Sequence, residues 1–190
     1  MGLLDVLRGR RDLKAPAPDR LFAITTAQVT LQTELGLEGE GAAGIVFQAL
    51  DTADFAQIAA DMQEVVSATS SESGTKVETS DDKFGYRWMI LRDDDFEDLA
   101  VGLNAVGGAL QTGGFGDRIL CAVFPFRDRS GGRVYWIYNY KRGTWYPFVP
   151  AGGEQQRDNE RELKLKAQMG GELPIEPELE RWFPLWGTPI

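Results

Sequence analysis

Apolar residues in this chain fall into helical and strand-like runs, set apart by glycine, proline and acidic clusters. Thr25 or Thr26 can cap a helix that carries Val29, Leu31 and Leu35 and ends at Gly36. Residues 44–50 form a short apolar run, read as a strand. Asp51 and Thr52 stand where an N-cap belongs, and Phe55, Ile58, Met62 and Val66 continue at helical spacing, followed by a small-residue loop over 67–74. Residues 76–80 and 86–92 read as a hairpin around Asp81–Gly85. Asp94 or Asp95 caps the clearest helix, with Phe96, Leu99, Leu103, Val106 and Leu110 facing inward and a stop at Gly113-Gly114. Strands follow at 118–126 and 133–140, and a third run at 144–149 carries Pro147, which places it on a sheet edge. The last helix is expected over 154–169, anchored by Leu163, Leu165 and Met169, with an irregular aromatic tail after it. Helices interrupted by hairpins predict an α+β domain over residues 19–190. Its sheet should be mostly antiparallel, with about five to six strands and helices packed on one face.

Residues 1–18 stand apart from that domain. Leu3, Leu4 and Leu7 share one side of a short helical stretch, Arg8, Arg10 and Arg11 follow, and Ala15-Pro16-Ala17-Pro18 reads as a linker. The segment is either an amphipathic hook for a partner helix or an anionic membrane surface, or a plain terminus, frayed or docked on the body. Its few apolar side chains cannot hold a membrane alone, so membrane contact through residues 1–14 would be weak and peripheral.

Composition narrows the functional classes. With 190 residues and 43% apolar content, one domain is the default. No apolar run reaches bilayer length, and the opening residues lack a secretory pattern because the arginines follow the apolar stretch. The chain is therefore expected in the cytoplasm, at most peripheral to the inner face of the membrane. The lone Cys121, inside Ile119–Phe124, reads as a core residue. There is no histidine, which removes Ser-His and Cys-His nucleophile activation, imidazole acid-base chemistry and most zinc sites. Residues 38–98 hold fifteen acidic side chains against four basic ones, and the net charge is −9. Such a chain offers no broad basic surface for displacing counterions from phosphates, so no nucleic-acid partner is expected.

Two motifs read as structural. Gly39-Glu40-Gly41-Ala42-Ala43-Gly44 spells G-x-G-x-x-G, but a helix precedes it and a strand follows. A dinucleotide site needs the opposite order, so that helix N-terminal amides face the pyrophosphate. Asp93-Asp94-Asp95 with Asp98, and Asp81-Asp82, suit capping and the helix dipole better than a cation site. No cofactor and no metal are expected.

Residues 139–187 hold three of the five tryptophans, interleaved with arginines and lysines. Arg142 at the Lys141–Thr144 turn is placed to stack on Trp145 or Tyr146, a contact worth about 0.5–1 kcal/mol when exposed. Arg157 and Asn159, beside the first-turn Asp158, are harder to explain by packing. Lys141, Arg142, Trp145, Tyr146, Arg157, Asn159, Arg181 and Trp182 are accordingly the candidate partner surface, because aromatic and arginine side chains dominate interface energetics. As exposed charges, Arg142 and Arg157 would each matter to stability by under about 0.5 kcal/mol.

The phrase Tyr140-Lys141-Arg142-Gly143-Thr144-Trp145-Tyr146-Pro147-Phe148 resembles the PspAB family. So do Arg157-Asp158-Asn159, Glu172-Leu173-Pro174, the run from Arg181 to Gly187, the opening Met1–Asp5 and Val134–Tyr138. That family comprises small PspA-associated proteins found near phage-shock genes in actinobacteria and some archaea, and the likeness spans nearly the whole chain. It implies an accessory role in envelope stress, with PspA or another product of the same locus as partner, and brings no catalytic residue set. Non-enzymatic action by protein–protein contact is thus the expectation. The alternatives are a small acidic chaperone-like adaptor of the α+β secretion-chaperone type, marked by a sheet face or groove left uncovered by helices as a large exposed apolar patch, and a carboxylate- or lysine-based enzyme, marked by a deep pocket where at least two titratable side chains converge.

Overall fold

The computed structural model describes residues 18–50, 52–53, 57, 60–62, 64 and 74–190. The expectations for residues 1–17, for most of the helix after Asp51 and for the loop over 67–73 lie outside the described residues. Those described between 53 and 64 are helical, and Met62 among them is buried in the core.

Helix α1 (Pro18–Thr33) is followed by strands β1 (Leu37–Gly39), β2 (Ala42–Gln48), β3 (Lys76–Asp81) and β4 (Tyr86–Arg92). Helix α2 (Phe96–Thr112) then leads to β5 (Ile119–Asp128), β6 (Arg133–Asn139), β7 (Thr144–Phe148) and α3 (Asn159–Met169). Single 3₁₀ turns lie at Gly116–Arg118 and Leu179–Arg181. The fold is α+β. Its seven strands form one antiparallel sheet in the order β3-β4-β2-β5-β6-β7, and β1 pairs with the far end of β5. As its proline suggested, β7 is the last strand of that order.

Two helix boundaries differ from the sequence expectation. α1 starts at Pro18, not at Thr25 or Thr26, because Leu21, Ile24, Ala27 and Leu31 already form a buried helical stripe. Thr25 sits mid-helix and donates its hydroxyl back to the Phe22 carbonyl. α3 starts at Asn159, with Asp158 as N-cap accepting from the Arg161 N–H at 2.9 Å. The residues before it form a turn in which Ala151 N–H donates to the Gln156 carbonyl and Gln155 has φ 52°. Leu163, expected as an anchor, is 46% exposed, while Glu162 is buried in its place.

The sheet is covered differently on its two faces. Alternate residues of the central strands (Ile45, Leu91, Phe124, Trp136, Trp145) point toward α1, α2 and α3 and share one core with them. Asp95 caps α2 by accepting from the Glu97 N–H, and Gly102 lets that helix approach closely: a Cβ there would lie 2.2 Å from Leu91 Cδ2. The opposite face presents Val46, Trp88, Ile90, Val123, Ile137 and Phe148. No described helix lies on it; it is covered by a C-terminal arm, residues 174–190, that carries Trp182, Trp186 and Ile190. The arm joins the sheet beside β7, where Trp145 N–H donates to the Pro174 carbonyl and Glu176 N–H to the Trp145 carbonyl. At its end, Arg133 donates to the Ile190 carbonyl at 3.0 Å.

Candidate functional site

The aromatic-basic segment is built into the closure of this arm. Trp145 is fully buried on the helical side, and its indole N–H donates to the Arg20 carbonyl of α1 at 2.7 Å. Tyr146 faces the other way and stacks on Trp182, and both are buried. Arg142 does not stack on either ring of its turn. Its guanidinium is paired with Glu176, a fully buried carboxylate that also accepts from the Thr144 hydroxyl at 2.9 Å. Arg157 is paired with buried Glu162, donates to the Trp182 carbonyl at 2.7 Å and lies over the Phe148 ring. Arg181 pairs with Glu178 at 2.7 Å, and Asn159 is exposed in the first turn of α3. Lys141 and Asn159 have no side-chain partner among the described residues, whereas the three arginines do. The eight residues therefore do not gather into one exposed patch: three rings are internal and three arginines sit in ion pairs.

Burial governs the ionisable groups here. Desolvation pushes the Glu162 carboxyl up, with Arg157 and the Val149 N–H pulling against it. Burial also pushes Glu176 up, but Arg142, the Thr144 hydroxyl and the Glu178 N–H together outweigh it and hold that carboxyl below its ordinary value. The Cys121 thiol is driven up to about 12 by burial alone, so it stays protonated and a poor nucleophile. Desolvation likewise raises Tyr140 and Tyr146.

Beside the arm, its cover is incomplete. At the end of the sheet that holds the β3–β4 turn, the start of β5 and the β6–β7 turn, a cleft of about 490 Å³ opens on the arm face. Val46, Leu120, Cys121 and Tyr146 line it from the strands, and Leu185 and Trp186 from the arm. Asp82, Phe84 and Trp88 wall it on the hairpin side, Asn139 and Lys141 on the β6–β7 side. Two of its residues are large apolar side chains left in solvent: Phe84 is 56% exposed and Phe183 60%. Scattered single apolar residues mean little, but these two phenylalanines stand together on one apolar cleft. Of the residues singled out from the sequence, Lys141 and Tyr146 line this cleft, and Phe84 and Phe183 are not among them. The available signal was a phenylalanine in the polar turn Asp82-Lys83-Phe84-Gly85 and another next to Pro184.

The acidic clusters are occupied by local bonds. Asp93 accepts from the Asp95 N–H and the Thr75 hydroxyl, and Asp81 pairs with Arg87. Among the described residues no three carboxylate or thiol ligands converge as a metal site would require, and no helix is long and apolar enough to cross a membrane.

No curated protein and no solved structure matches this chain. The family model for PspAB, PspA associated protein B, matches residues 1–190, its whole length. With its whole length matched, the chain belongs to the PspAB family.

Proposed function

We propose that this protein is a non-catalytic accessory of the PspA system that acts by binding PspA or another product of the same stress locus, and that it makes this contact at the mouth of the cleft. Family membership supports an accessory role in that system. The observation that carries the placement is the pair of exposed phenylalanines, Phe84 and Phe183, on one apolar cleft. Aromatic side chains left in solvent are the residues that interfaces enrich and bury. Lys141, a cation of the aromatic-basic segment with no side-chain partner among the described residues, stands on the same cleft.

Non-catalytic action is supported by how the reactive groups are used. The chain has no histidine, its thiol is protonated and buried, and its two buried glutamates are neutralised by arginines. A second reading, the chaperone-like adaptor that holds client segments, would rest on the apolar cleft that the arm leaves open. Stoichiometry separates the two: an accessory binds one folded partner at a fixed ratio, whereas an adaptor slows the aggregation of unrelated unfolded proteins.

A photo-crosslinking residue at position 183 tests the proposal in cells under envelope stress. Capture of PspA or a co-encoded protein from position 183, and not from exposed position 29 on α1, is the expected result. Equal capture from both positions overturns the placement.

A further inference from the structure

We infer that the interior of the cleft is a binding site for a single-chain anionic amphiphile of the fatty-acid carboxylate kind. Its head sits on the β6–β7 turn and its alkyl chain lies across the ends of β5, β2 and β4. The contrast between the two turns that wall the cleft carries this assignment. On the β3–β4 turn, Asp82 is engaged on both oxygens: Oδ1 accepts from the Phe84 and Tyr86 N–H groups, and Oδ2 accepts from Trp88 Nε1 at 3.1 Å. On the β6–β7 turn, Asn139 Oδ1 accepts from the Lys141 N–H at 3.1 Å. That leaves Asn139 Nδ2 and Lys141 Nζ with no partner among the described residues. One wall therefore offers donors and a positive charge, the floor between the walls is Val46, Leu120 and Cys121, and Tyr146 of β7 lines the cleft beyond β6. A mostly apolar concavity with a few convergent polar groups selects a ligand whose polarity is likewise confined to one end.

Size and solvation favour a free amphiphile over a buried stretch of polypeptide. The cleft, at about 490 Å³, lies within the range of small-molecule sites. β4 and β6 are separated by β2 and β5, so three strand spacings, about 14 Å, lie between the walls. A medium-length alkyl chain spans that distance. A peptide segment laid along the same floor would bring backbone N–H and C=O groups for which apolar side chains provide no partners. The interior site is independent of partner contact at the mouth and needs no PspA.

The test is a titration of the purified full-length protein with decanoate below its micelle concentration, followed by tryptophan fluorescence, since Trp88 and Trp186 line the cleft. Saturable binding at one site is expected, at least tenfold tighter than decanol, with decyltrimethylammonium giving no saturation. Lys141→Ala should remove the preference for decanoate over decanol, and Lys141→Arg should keep it. Leu120→Trp, which fills the floor, should abolish binding of both; Leu185→Trp fills the cleft from the arm side and serves should the first variant fail to fold. Absence of saturation with decanoate, equal binding of the cationic amphiphile, or a decanoate affinity untouched by Lys141→Ala overturns the assignment. Failure here leaves the capture of PspA at position 183 unaffected, and failure of that capture leaves this titration unaffected.

Discussion

Tyr146 of β7 and Trp182 of the arm stack with ring centroids 6.0 Å apart and planes 23° from parallel. Each is also pinned at its polar edge: Tyr146 Oη donates to the Phe183 carbonyl at 3.1 Å, and Trp182 Nε1 donates to the Glu176 carbonyl at 3.1 Å. The pair fastens the arm to the sheet, which is why both belong to the core although their sequence context resembles a contact surface.

Trp182→Ala should accordingly unfasten the arm. Truncating a buried tryptophan costs about 3–5 kcal/mol, whereas Phe183→Ala, at a 60% exposed neighbour, should stay within about 0.5 kcal/mol. Urea denaturation checks both values, and binding of a hydrophobic dye should rise only for the Trp182 variant.

Arg157→Ala should be strongly destabilising, contrary to the value for an exposed charge. Removing it leaves the Glu162 carboxylate buried with the Val149 N–H as its remaining partner, and breaking a buried pair from one side costs about 3–5 kcal/mol. The sign with pH follows from the Glu162 shift. Burial raises its folded pKa above the unfolded value, so the folded state gains stability as pH falls through that range, and loss of Arg157 raises it further. The Arg157→Ala penalty should therefore shrink in acid, and adding Glu162→Gln should recover part of it at neutral pH. Unfolding midpoints measured between pH 7 and pH 4.5 give both comparisons.

Glu176 should behave in the opposite sense. Its folded pKa is held below 4.5, so it contributes stability above the unfolded value and loses it as pH falls through the folded one. Melting of the wild type and of Glu176→Gln should differ most near neutral pH and converge below pH 4.5. A constant difference across that range would show that Glu176 acts through shape and not through its charge.

Asp95→Ala should cost about 1 kcal/mol, the usual loss of a helix cap, because it frees the Glu97 N–H at the start of α2. Millimolar magnesium or calcium should leave the wild-type melting temperature unchanged. A rise of several degrees that depends on Asp94 would show a bound cation in place of capping.

Periodicity was sufficient for α2, which buries one face, whereas β4, β6 and β7 are legible as short apolar runs between turns because both faces of the sheet are covered. It was insufficient where a charged residue is buried. Glu162 occupies a core position that hydropathy assigns to Leu163, and only the fold brings Arg157 and the Val149 N–H to it. The burial and ion pairing of most candidate surface residues were hidden for a related reason. The aromatic and arginine residues of 139–187 are dense because the arm closes a sheet face on which no described helix lies, and the carboxylates that neutralise Arg142 and Arg157 are not adjacent in sequence. The cleft was illegible because it is what the arm leaves uncovered: its walls come from turns 82–84 and 139–141, joined only by sheet order.

The central claim is partner contact at the cleft mouth, and the most direct measurement is the affinity of purified PspA for the wild type and for Phe84→Ser/Phe183→Ser. Both side chains are more than half exposed, so the double change should leave the melting temperature nearly as it was. Loss of two interface aromatics should weaken PspA binding by at least tenfold. Unchanged PspA affinity in a folded double variant would contradict contact at this site.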